Sequence, residues 1–84
     1  MNRKHQKTLD EIFANPVSGS IKWRDIEAML TALGAEVTEG RGSRIRVSIG
    51  RSRAVFHRPH PSPDTDKGAV KAVRRFLSES GIEP

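Results

Sequence analysis

Ser43-Arg44-Ile45-Arg46-Val47-Ser48-Ile49, then Gly50-Arg51, then Arg53-Ala54-Val55-Phe56-His57 follow one another in the middle of the chain, with Ser52 at the start of the last run. The first run alternates with a period of two, which puts Ile45, Val47 and Ile49 on one face of a strand and Arg44, Arg46 and Ser48 on the other. Gly50-Arg51 supplies a two-residue hairpin turn, with glycine where a positive φ is needed. In the last run Ala54 and Phe56 share one face, opposite Arg53, Val55 and His57. A slip of one residue exchanges those faces, so the alternation by itself leaves either of them open to the core. The centre of the fold is therefore a hairpin with an apolar face and an arginine-rich face on its first strand.

On the N-terminal side, a shorter period-two run from Ala35 to Glu39 ends at the turn-like Gly40-Arg41-Gly42, so a further strand precedes the hairpin. Before it, Ile26, Met29, Leu30 and Leu33 recur at i, i+3, i+4 and i+7, the stripe of an amphipathic helix expected from about Ile21 to Leu33. Ser20 is the expected N-cap, and Gly34 stands where a left-handed C-terminal cap is wanted. Leu9, Ile12 and Phe13 form the stripe of a first, shorter helix over residues 3–14, which Asn15-Pro16 stops. Trp23 and Phe56 both lie on apolar stripes and are expected in the core rather than as stacking platforms.

On the C-terminal side, Arg58-Pro59-His60-Pro61-Ser62-Pro63 is expected to be a stiff extended loop, because three alternate prolines fix φ and remove backbone donors. Asp64-Thr65-Asp66 then offers N-caps to a last helix with Ala69, Val70, Val73, Phe76 and Leu77 as its apolar stripe. Lys67, Lys71, Arg74 and Arg75 are expected to face outward, and Ser80-Gly81 to close the helix.

The order α, α, β, β, β, α with short strand connections gives an α+β fold whose three-stranded antiparallel sheet is covered by helices on one face. This is the α-β-β-β-α layout of the double-stranded-RNA-binding domain, with an extra N-terminal helix. Residues 1–20 are read as that helix and its connector, and residues 21–84 as the domain proper, one domain overall.

The formal charge is +5, and its distribution matters more than its size. Between Arg41 and Pro63 stand six arginines (Arg41, Arg44, Arg46, Arg51, Arg53 and Arg58), two histidines and no carboxylate. The nine other Lys and Arg face ten Asp and Glu, so the rest of the chain carries −1. The planar guanidinium fork suits bidentate phosphate contact better than the point charge of lysine. An uncompensated run of one sign points to a polyanion, most simply RNA, held by those six arginines. An A-form duplex is recognised by shape and phosphate contacts, which suits a basic face with only four aromatic residues in the chain. DNA binding is less well served, since no helix-turn-helix pattern appears.

With no cysteine, neither disulfides nor thiolate zinc sites are available, and the cytoplasm is the expected compartment. Met1 to Asp10 runs into charged, helix-like sequence rather than the apolar centre of a signal peptide, and nothing is long and apolar enough to span a membrane. No nucleotide-type glycine loop, Ser-His-Asp signature or paired carboxylates appear, and no cofactor is expected. His57 and His60 with Asp64 or Asp66 do not follow a recognised zinc spacing, so no metal site is expected.

Five short segments, in order, resemble the HicA family of toxin proteins, ribonucleases of bacterial toxin-antitoxin pairs. They are Leu33-Gly34 at the helix end, Gly42-Ser43 at the strand opening, Pro59-His60 after the last strand, Lys67-Gly68 at the helix start and Ser80-Gly81-Ile82 at the end. The resemblance covers about residues 21 to 82 and implies a double-stranded-RNA-binding-like fold, mRNA cleavage and a HicB-like antitoxin partner. In the family pattern a histidine taken to be catalytic follows Gly-Ser, and this sequence has Arg44 there. Arginine stays protonated and cannot act as a general base, although it can bind phosphate and stabilise charge developing on it.

The histidines near the basic face are His57 and His60. An imidazole is the natural proton shuttle near neutral pH, and metal-independent RNA cleavage needs a base, an acid and cations for the phosphate. His60, matching the family's Pro-His and held between prolines, is the leading catalytic candidate, with His57 the second. Three readings follow: a toxin-like ribonuclease, a non-catalytic RNA-binding or catalytically degenerate toxin-like protein, and a DNA-binding protein.

Overall fold

A computed structural model describes all 84 residues. The chain runs α1 (Arg3–Phe13), β1 (Ile21–Lys22), α2 (Trp23–Ala32), β2 (Glu36–Glu39), β3 (Arg44–Ile49), β4 (Ser52–His57), β5 (Asp64–Thr65) and α3 (Lys67–Glu79). Strands β2, β3 and β4 form an antiparallel sheet in that order, and β1 pairs with β5 as a separate two-stranded ribbon. This is the expected α+β architecture, a three-stranded antiparallel sheet with the α-β-β-β-α order behind an extra N-terminal helix.

The alternation of β3 survives intact: Ile45 and Val47 are buried and Arg44 and Arg46 exposed. Gly50 takes φ +56, the left-handed value that the two-residue turn requires, and Ile49 faces Ser52 across it. That turn fixes the register, and the register settles β4: Ile45 pairs with Phe56 and Val47 with Ala54, so these face the core, while Arg53, Val55 and His57 face outward.

Fourteen residues make one core cluster, drawn from all three helices and from β1, β3 and β4. At its centre Trp23, Phe56 and Phe76 stack edge to face, with ring centroids 5.9 Å apart in each contact. Trp23 and Phe56 are 4% and 6% exposed, so neither offers a platform to a ligand. Leu9 and Ile12 of α1 belong to the same cluster. No helix is long and apolar enough to cross a membrane.

Three local expectations are corrected. The second helix starts at Trp23 rather than Ile21, because Ile21 and Lys22 are drawn into strand pairing with Thr65 and Asp64. Ser20 accordingly caps nothing: Lys22 holds the N-cap position without a side-chain bond, Ser20 bonds to Ser18, and the Trp23 amide donates to the Pro63 carbonyl at 3.0 Å. Of the three residues offered as caps to α3, Asp66 does the work, accepting from the Ala69 amide at 2.8 Å. Arg74 does not face solvent freely. It donates to the Ile12 and Ala14 carbonyls at 2.8 and 2.7 Å, meeting carbonyls at the end of α1 that the helix leaves unpaired.

Candidate nucleic-acid interface

Strand register builds the outward face of the sheet in rows. Glu36, Ser48 and Arg53 form one row, Thr38, Arg46 and Val55 the next, and Arg44 and His57 the last. Arg44, Arg46, Arg53, Val55 and His57 are all exposed, and Val55 keeps 52% of its surface in water. Glu36 is the one carboxylate in these rows, and it pairs with none of the arginines. A shallow concavity lies across the first two rows, lined by Glu36, Thr38, Arg46, Ser48, Arg53 and Val55 among others. Arg41 sits in the turn before β3, where its carbonyl accepts from the Arg44 amide at 3.0 Å, and Arg51 is in the β3–β4 turn. Both are exposed at opposite ends of the hairpin.

Arg58 stands apart from the other five. Along β4 the side chains alternate, Phe56 inward and His57 outward, and Arg58 continues the parity of Phe56 toward the helices. There its Nε and Nη2 form a bidentate pair with Glu27 at 2.8 and 3.0 Å, and Nη1 donates to Glu39 at 2.6 Å. Trp23 Nε1 also donates to Glu27. The hydrogen bond from Arg58 holds the Glu27 carboxyl below the usual carboxylate range, against the opposing effect of burial and with further help from Trp23 and the Arg58 charge. The bonds to Glu27 and then to Glu39 raise the Arg58 guanidinium above its ordinary value. None of Arg41, Arg44, Arg46, Arg51 and Arg53 has a carboxylate within 4.0 Å; the four ion pairs in the molecule lie elsewhere.

The two candidate histidines are therefore placed differently. His57 is exposed on the outward face in the row of Arg44, whereas His60 is exposed in the loop after β4. Glu27 and Glu39 are the site-shaping residues that charge counting missed, and continuing the β4 alternation by one residue was the signal that points Arg58 toward them. No group of three His, Asp and Glu side chains comes together as a metal cage.

Comparison with protein families matches residues 23–82 to the model described as HicA toxin of bacterial toxin-antitoxin. The chain belongs to the HicA toxin family. No curated protein and no solved structure matches it. The family match begins at the first residue of α2 and ends just past α3, so this HicA-family chain carries α1 outside the matched region while packing Leu9 and Ile12 into the shared core. As a member of a toxin family of toxin-antitoxin pairs, it is the kind of protein that is matched with an antitoxin.

Proposed function

We propose that this HicA-family toxin holds RNA on the outward face of its sheet, cleaves it without a metal in the cytoplasm, and is silenced by an antitoxin that covers the same face. The observation that carries this reading is the set of five arginines free of carboxylate partners, gathered on one helix-free side and its two turns together with His57. Unpaired guanidinium groups are available to phosphate without first breaking an ion pair. His57 on that face and His60 in the loop after β4 are the histidines proposed for proton transfer. Residues 21–84 act as the functional unit, and residues 1–20 as an accessory helix. An antitoxin suited to this surface presents acidic groups to the arginines and an apolar or aromatic group to Val55.

The test is to incubate the purified protein with a structured RNA, with and without EDTA. Fragments in both conditions support the reading. Binding without fragments favours the second reading, an RNA-binding protein that has lost catalysis, which Arg44 in the family's histidine position supports. Hydrogen exchange on the antitoxin complex checks the neutralising surface: protection confined to α1, with β3 and β4 left open, contradicts it.

A further inference from the structure

Arg44 and His57 are direct partners across the β3–β4 ladder. The Arg58 amide donates to the Ser43 carbonyl at 2.8 Å, a bond just outside this pair, so Arg44 and His57 belong to the pair type that exchanges no backbone hydrogen bonds of its own. Side chains come closest in that type, with Cβ atoms about 4.5–5.5 Å apart on the same face. Both residues are exposed, and neither has a carboxylate within ion-pair distance. A permanent cation and a group able to take up a proton thus stand side by side on the open face.

We propose that Arg44 and His57 act as one unit on RNA, with the Arg44 guanidinium holding the scissile phosphate and the His57 imidazole accepting the proton of the adjoining ribose 2′-hydroxyl. This assignment rests on the RNA-cleaving reading above. The 2′-oxygen forms its bond to phosphorus as the bond from phosphorus to the 5′-oxygen breaks. The proton of the 2′-hydroxyl passes to His57, the departing 5′-oxygen takes a proton from water, and the imidazolium returns its proton to solvent. The products are a 2′,3′-cyclic phosphate and a 5′-hydroxyl, with no other reactant. Arg44 counters the extra negative charge that builds on the phosphoryl oxygens during the step.

Arg58 is the positioning residue of the unit. It follows His57 directly, and its amide bond to Ser43, its bidentate pair with Glu27 and its bond to Glu39 tie the end of β4 to β3, α2 and β2 at once. His57 is thereby kept in register with Arg44. His60 lies three residues further on in the loop, where no strand pairing sets it opposite an arginine. The charged groups around His57 are Arg44 across the ladder, the paired Arg58 beside it, and Asp66 across the shallow groove that β4 shares with α3.

The experiment uses the full chain, a synthetic RNA oligonucleotide with EDTA present, and the same oligonucleotide with 2′-deoxyribose at the cleaved position. His57→Ala is expected to slow cleavage at least 100-fold, in the range typical of removing a general base, while the deoxy oligonucleotide binds within twofold of wild type. The pH profile of the rate also changes in this variant. Arg44→Ala weakens binding and flattens its salt dependence. Arg58→Lys, which keeps the charge but not the fork, lowers the cleavage rate with little change in affinity for the deoxy oligonucleotide. A larger loss in His60→Ala than in His57→Ala overturns the assignment, as does wild-type protein that binds the RNA and leaves it uncut. Wild-type protein that binds neither oligonucleotide removes the RNA reading itself.

Discussion

Arginines do opposite work on the two sides of this small sheet. On the outward side Arg44, Arg46 and Arg53 stand in rows with no carboxylate within 4.0 Å, supported by backbone pairing alone. On the helix side Arg58 is held by Glu27 and Glu39, in a knot that joins α2, β2 and the end of β4. The two settings are one residue apart in the chain, between His57 and Arg58, and the parity of a β-strand separates them. A count of charge along the sequence pools all six arginines, whereas the fold divides them into five without a carboxylate partner and one tied to two.

The sharpest way to break the contrast is to remove arginines from each side and measure both binding and stability. For the double variant Arg44→Ala/Arg46→Ala, the slope of log affinity against log salt should shrink by about 1.4–1.8, since each phosphate contact contributes about 0.7–0.9. The melting temperature should stay close to wild type, because exposed side chains away from a packed feature change stability little. An unchanged slope in a folded variant removes the outward face from the binding surface.

Arg58→Ala should do the reverse. It strips Glu27 of its bidentate partner and leaves a partly buried carboxylate bonded only to Trp23. Arg58 keeps about a third of its side chain in water, so the expected cost is about 1–2 kcal/mol, or a fall of roughly 5–15 °C in melting temperature for a domain of this size. The salt slope of RNA binding should not change. A slope reduced by a full contact would mean that Arg58 leaves its carboxylates to meet phosphate.

The same knot has a pH signature. The folded-state pKa of Glu27 is depressed, so its contribution to stability is present above the ordinary carboxylate pKa and is lost as pH falls through the lower, folded value. Melting temperature measured from neutral pH into acid should therefore fall on the acid side, and part of that fall should be missing in Glu27→Gln. Identical acid limbs in the two proteins would assign the loss to other carboxylates.

How much of this was legible in the sequence follows the range of each interaction. The β3 alternation, the hairpin turn at Gly50-Arg51 and the apolar stripes of the helices are local patterns, and the structure keeps them all. The buried face of β4 needed the register, which the turn sets and the alternation alone does not. Strands β1 and β5 are two residues each, too short to show a period, and they find each other across 42 residues of chain. The partners of Arg58 lie 31 and 19 residues away, so the 41–63 run gives the side to which Arg58 points but not what it meets there. The candidate site was legible as a composition and as one strand face; its division into free and tied arginines was not.

Arg74 gives the smallest expected effect and the finest test of the contrast, because it is a third kind of arginine, tied to backbone rather than to carboxylates. Its Nε and Nη2 bond to the Ile12 and Ala14 carbonyls, and Nη1 reaches the Asn15 Oδ1 at 3.3 Å. A cation at this place meets the unpaired carbonyls and the negative end of the α1 dipole, an interaction worth about 0.5–1 kcal/mol where it is partly exposed. Arg74→Ala should leave the β3–β4 amides as protected from hydrogen exchange as in wild type, while amides in the last turn of α1 exchange faster. Arg74→Lys should recover only part of that protection, since an ammonium cannot span two carbonyls and an amide in one plane as the fork does. The RNA salt slope should match wild type in both variants. If it falls by a full contact instead, Arg74 joins the phosphate-binding set, and the division between outward and inward arginines no longer follows the faces of the sheet.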